Sequence, residues 1–267
     1  MTHATRSRDR IRAVLGKELR ELRKNKMVLL PMAILPTLFV VMMIVINVAI
    51  GQSPSAPAHK VQGFAAPAEL AALGMNLAMQ VLVNDHFMFM QLLMPVILPT
   101  VIAAHSVIGE KQARTLEPLL ATPVRTWELL AAKIVAAAVP ATLISWLAYV
   151  VALGGVHAAS GSVVAGYLAR PLWSVGVLVG APLLGIFSSA GTVLISSRVN
   201  DVRTAQAMAG IGVVPLVAVG MSVLIGQRFL DLGFLLASIA VLVPLDLGLL
   251  WLAVRLFRRE TILTRWK

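Results

Sequence analysis

The sequence contains no cysteine, which excludes disulfides, Cys-ligated zinc and thiol catalysis. Acid is scarce as well: 12 Asp and Glu stand against 23 Lys and Arg, for a formal net charge of +11. Charged residues of both signs make up 13 % of the chain and hydrophobic ones 58 %, so little polar sequence is left from which to build a large soluble domain. There is no Gly-x-x-x-x-Gly-Lys-Ser/Thr loop, so the chain cannot hold ATP in the P-loop manner. No HExxH or nucleophile-elbow pattern occurs. Five histidines (His3, His59, His86, His105, His157) are scattered without ligand spacing on any helix, which argues against a metal site. Internal repeats and low-complexity tracts are absent too.

What the chain does have is long apolar runs. Six stretches, at about 27–50, 87–108, 131–153, 172–195, 207–226 and 232–254, each match the roughly 20 residues a helix needs to cross a bilayer core. Threading them alternately puts 20 of the 23 Lys and Arg on one side, leaving only Lys60, Arg170 and Arg228 opposite. By the positive-inside rule both termini are cytoplasmic and the protein is multi-pass in the cell membrane. The same dispersal of basic residues among span edges, next to anionic lipid headgroups, accounts for the high pI without nucleic-acid binding. The first run is 24 residues long with 26 before it, more than a cleaved signal has, so it reads as a retained span. The expected fold is all-α: six transmembrane helices with an N-terminal helix ahead of them.

Residues 6–26 place Ile11, Val14, Leu15, Leu19 and Leu22 on one helical stripe, with Arg12, Lys17, Arg20, Arg23 and Lys24 largely off it. That pattern suits an amphipathic helix lying along the cytoplasmic headgroups; the plainer alternative is a charged leader that only sets orientation. Residues 67–83 read as a further outer interfacial or re-entrant helix, since counting them as a span would place the basic 109–133 loop outside. Residues 154–171 read as a short outer loop rich in small residues.

The loop 109–133 is the most specific stretch. It reads as a short helix, a break, and the opening of span three. Thr115 can cap the short helix, with Glu117 in its first turn. Thr122 followed by Pro123 supplies a cap and a proline at the first helical position of the next. Leu116, Leu119 and Leu120 form an apolar edge beside charge, as a docking surface does; an ordinary loop helix is the other reading of those residues.

This loop is similar to the signature of ABC exporter permeases of the type 2 (ABC-2) class, Glu-Lys-Glu-x-Gly-Thr-Leu-Glu-x-Leu-Leu-x-Thr-Pro. Glu110, Lys111, Thr115, Leu116, Glu117, Leu119, Leu120, Thr122 and Pro123 match, while Gln112 replaces an acid and Arg114 stands where glycine is usual. The general layout agrees, including the Ser197–Arg203 loop before span five. The resemblance implies one permease domain over residues 1–267, forming dimers and docking separate ATPase subunits through the 109–130 coupling loop, joined there by the N-terminal helix. ATP then sits on the partner subunit and this chain binds no cofactor and is no enzyme. A homodimer is expected, and a heterodimer with a related permease is the variant of it.

Within the spans, Asp246 is the outstanding residue, because a carboxylate at depth costs about 2.5 to 3.5 kcal/mol on insertion scales. It either contacts the transport path or switches by protonation, or it is a structural acid bonded to a neighbouring helix. Pro95 and Pro99, one turn apart, are candidate hinges, though prolines are also ordinary in membrane helices. Gly176, Gly180, Gly185 and Gly191 give span four a surface for close packing. The rival function is a secondary transporter or channel driven by an ion gradient, for which Asp246 is the best support; a membrane enzyme lacks any catalytic cluster.

Overall fold

The structure is a computed structural model that describes residues 7–53, 74–115, 124–214 and 231–256. The described residues are helical almost throughout, with no strand among them. In chain order the helices are α1 (Ser7–Lys24), α2 (Lys26–Gln52), α3 (Met75–Gln112), α4 (Thr126–Leu168), α5 (Pro171–Ser196), α6 (Val202–Gly210) and α7 (Leu232–Leu256). Five of them, α2, α3, α4, α5 and α7, are long and apolar enough to cross a membrane. The expected span 207–226 begins as the end of α6 and a 3-10 turn, Ile211–Val213; from 215 onward it lies outside the described residues.

α3 is the central helix, with 20 of its 38 residues buried, whereas α7 buries only Asp246 and Ala253. The main core joins Val28 and Met32 of α2, Leu98 and Val107 of α3, Leu130 and Ile134 of α4, and Val193 of α5. α2 and α7 turn large apolar side chains outward, among them Leu30, Ile34, Leu38, Leu247 and Trp251. Side chains like these belong against lipid or another apolar surface rather than water.

Two helices depart from the sequence reading. α2, α5 and α7 end within two residues of the expected spans, but α3 starts at Met75, not 87. Residues 75–83 are therefore the first turns of the same helix and not a separate interfacial one. Asn84-Asp85-His86 interrupts the hydropathy, yet each polar side chain that faces inward has a partner. The Asn47 amide donates to Asn84 Oδ1 at 2.6 Å, and Gln80 Nε2 donates to the Asn47 carbonyl at 2.8 Å. Asp85 accepts from Arg170 at 2.6 Å and from Trp173 Nε1 at 2.8 Å. With Gln80, Asn84 and Asp85 satisfied, nothing stops the helix there.

α4 likewise runs on through the stretch read as a loop, to Leu168, and turns only at Gly161, whose φ of 80° suits glycine. Gly155 meanwhile lets α4 press on α2: a Cβ there would stand 2.2 Å from Ile44 Cδ1. α4 also opens later than expected. Val124 and Arg125 are not helical, and Arg125 is the N-cap of a helix beginning at Thr126; Thr122 and Pro123, read as a cap and first turn, lie outside the described residues. Glu128, at the third helical position, accepts from the Arg125 N–H at 2.9 Å, which supplies the start signal.

In α5 a π-helical turn, Gly176–Gly180, precedes Pro182. At that spacing the Val177 carbonyl would pair with residue 182, where proline offers no N–H. Trp146 of α4 supplies the missing donor, its Nε1 lying 2.9 Å from Val177 O.

Candidate functional site

The last turn of α3 carries the first residues of the sequence motif, Glu110 and Lys111. Both are buried, at 5 % and 7 % exposed. Glu110 forms ion pairs with Lys17 of α1 and, at 2.8 Å, with Lys133 of α4. Lys133 also meets Glu18 of α1 at 2.6 Å, and Ser106 of α3 joins them, donating to Glu18 Oε2 at 2.6 Å. These two acids and two ammoniums tie α1, α3 and α4 at one end of the bundle, and Glu21 joins them through Lys17 at 3.5 Å. Nearby, Arg10 makes a two-armed contact with Glu128, at 2.9 and 2.7 Å, fastening the start of α1 to the start of α4.

Burial pushes the Glu18 carboxyl up, but the Lys133 ammonium and the Ser106 hydroxyl outweigh that and leave it below its ordinary value. Partial burial pulls Lys17 down, and Glu110 more than reverses the shift. Both groups thus stay charged, as the network requires. Glu18 occupies the inward face of α1 together with Val14, while Leu19, assigned to the apolar stripe from sequence, points outward. The cue was an acid four residues from both Val14 and Leu22, on the stripe itself.

Lys111 points the other way. Its ammonium donates to the carbonyls of Ser196, Ser197 and Val199 at 2.8, 2.9 and 2.9 Å. Those are the C-terminal carbonyls of α5 and the turn after it, which lack helical donors and favour a cation. The same turn leads to Asp201, which caps α6 by accepting from the Thr204 N–H at 2.8 Å. That hydrogen bond holds the Asp201 carboxyl below its usual value.

α3 ends in a Schellman turn. The Thr115 N–H reaches Glu110 O at 3.0 Å and the Arg114 N–H reaches Lys111 O at 3.0 Å, with Arg114 at φ 54°. The tight turn survives the replacement of glycine by arginine, with an L-residue held in the left-handed region. Leu116, Glu117, Leu119, Leu120, Thr122 and Pro123 lie outside the described residues.

Asp246 stands apart from this cluster, on α7. It is 4 % exposed, and neither carboxylate oxygen has a hydrogen-bond partner among the described residues. One turn further along α7, Leu249 lines an apolar pocket of about 170 Å³ bounded also by Val96, Ser188, Thr192 and Met208. Pro95 and Pro99 are buried inside α3, which stays helical through both. Between them, the Val96 carbonyl accepts from Ser188 of α5.

Residues 12–247 match the model of a family described as ABC-2 family transporter protein. No curated protein matches the sequence.

Proposed function

Because this chain belongs to the ABC-2 family of transporter proteins, we propose that it is the permease subunit of an ATP-driven exporter. It is a multi-pass membrane protein; in this reading six spans lie in the cell membrane with both termini cytoplasmic. Two copies form a homodimer, surrounded by membrane lipids, and each docks one ATPase subunit through the 109–130 loop. Leu116, Glu117, Leu119 and Leu120 form the docking helix, with Thr115, Thr122 and Pro123 shaping its ends. ATP binds the partner subunit alone. α1 lies along the cytoplasmic membrane face beside the docked ATPase. Pro95 and Pro99 act as hinges, and Asp246 faces the path of the transported molecule.

The observation that supports this most is the end of α3. Glu110 and Lys111 tie its last turn to α1, α4 and α5, and Arg114, in the left-handed region, closes the helix just before the loop. A loop that receives a push from another protein needs such a fixed root.

Permease purified from native membranes should carry a P-loop ATPase with it. Proteoliposomes holding both should hydrolyse ATP at a rate that depends on the permease. An ion-gradient transporter is the second reading, favoured by the unpartnered, buried Asp246. Transport by the permease alone, driven by an ion gradient without ATP, would overturn the first reading in its favour.

A further inference from the structure

Glu110 and Lys111 are neighbours in sequence, yet they are fastened in different directions. Glu110 holds Lys17 of α1 and Lys133 of α4; Lys111 holds three carbonyls at and after the end of α5. At 5 % and 7 % exposure, neither has side-chain surface left to offer a docked protein. We propose that the two residues are an internal joint: they do not touch the ATPase, but make α1, α4 and the α5–α6 turn follow the root of the docking loop when it is displaced. The inference rests on the docking role of that loop and adds what the loop pulls on.

Each set of ties has its own mechanics. The Lys111 ammonium meets three acceptors within 0.1 Å of one another in length, at a helix C-terminus whose dipole favours a cation. Moving it away would strip a buried charge of these three acceptors, so this arm behaves as a rigid pin. The Glu110 arm is adjustable. Lys133 lies 2.8 Å from Glu110 and 2.6 Å from Glu18, so α1 can shift along α3 while Lys133 changes its share between two carboxylates. Lys17 offers the same choice, since it contacts Glu110 and, at 3.5 Å, Glu21. No step of such a movement strips a charge of every partner. The arrangement lets α1 travel with the loop, at an angle that varies, while α5 is carried along fixed.

The test uses the whole complex in proteoliposomes, with Glu110→Gln and Lys111→Met against the conservative Glu110→Asp and Lys111→Arg. Co-purification with the ATPase should be unchanged and the KM for ATP should stay within about twofold. The kcat of permease-dependent hydrolysis, and transport with it, should fall at least tenfold for Gln and Met and recover substantially for Asp and Arg. Loss of ATPase binding by a folded Lys111→Met protein would make the residue a docking contact and overturn the joint. An unchanged kcat would overturn it as well, leaving only a passive tie. If Glu110→Gln does not fold, Lys17→Met cuts the half-exposed arm alone; it should lower kcat severalfold with binding intact, and an unaltered kcat counts against the joint. Should the parent protein bind no ATPase, the docking reading itself has failed, which is a separate result.

Discussion

Trp146 and Val177 face each other across two helices, the indole N–H of one filling the vacancy that Pro182 creates at the carbonyl of the other. The pair therefore has a third member that never touches Trp146. Replacing Trp146 by Phe should cost about 1 to 3 kcal/mol, the penalty of an unsatisfied buried carbonyl. In a Pro182→Ala background, which restores a backbone N–H, the same change should cost clearly less. Equal losses in both backgrounds, measured by thermal unfolding in one detergent, would refute this account.

Arg114 occupies a left-handed conformation that costs an L-residue about 1 to 2 kcal/mol. Arg114→Gly should raise the thermal midpoint, gaining about 1 kcal/mol, and Arg114→Val should lower it. A glycine variant less stable than the parent would show that the arginine side chain earns its place through contacts.

The absence of cysteine makes topology directly measurable. Single cysteines at Ser53 and Ser162, both exposed, should react with an impermeant thiol reagent applied to intact cells. Those at Ala13, Gln112 and Thr204, also exposed, should stay unlabelled until the cells are opened. Labelling at Gln112 from outside contradicts the proposed orientation.

Asp246→Asn keeps the shape and removes the charge. If this carboxylate faces the transport path, the variant should insert and dimerise normally while transport, or its dependence on pH, changes. Transport identical to the parent across pH assigns the residue a packing role.

For the docking loop, Leu116→Ala with Leu120→Ala should remove about 2 kcal/mol or more of contact energy, the scale of interface anchors. Glu117→Arg should weaken the same contact by placing an unpaired charge in it. Expression should survive both changes while co-purification with the ATPase is lost. Full binding and coupled hydrolysis in the double variant would remove this loop as the docking element.

Hydropathy made α2, α5 and α7 legible because their apolar runs stop where the helices do. It cut α3 short because composition cannot register that Asn84, Gln80 and Asp85 are satisfied by Asn47, Arg170 and Trp173 from distant parts of the chain. The site divides the same way. Glu110 and Lys111 stood out by their motif, but the partners that define their chemistry lie 23 to 93 residues away in sequence and carry no local signal. Glu18 did carry one, an acid on an apolar stripe, and periodicity alone had assigned that face to Leu19.

The pairing of Glu18 with Lys133 also fixes a timetable. The two are 115 residues apart, so at ordinary rates of synthesis the carboxylate is made about 6 to 23 s before its counter-charge. During that interval α1 lacks its seat on α4 and has only Ser106 and Glu110 of α3 to hold it. Its docking is therefore a late event in biogenesis, after α3 and the start of α4 are in place. A nascent chain halted before Lys133 should leave α1 open to protease, and one released after it should not.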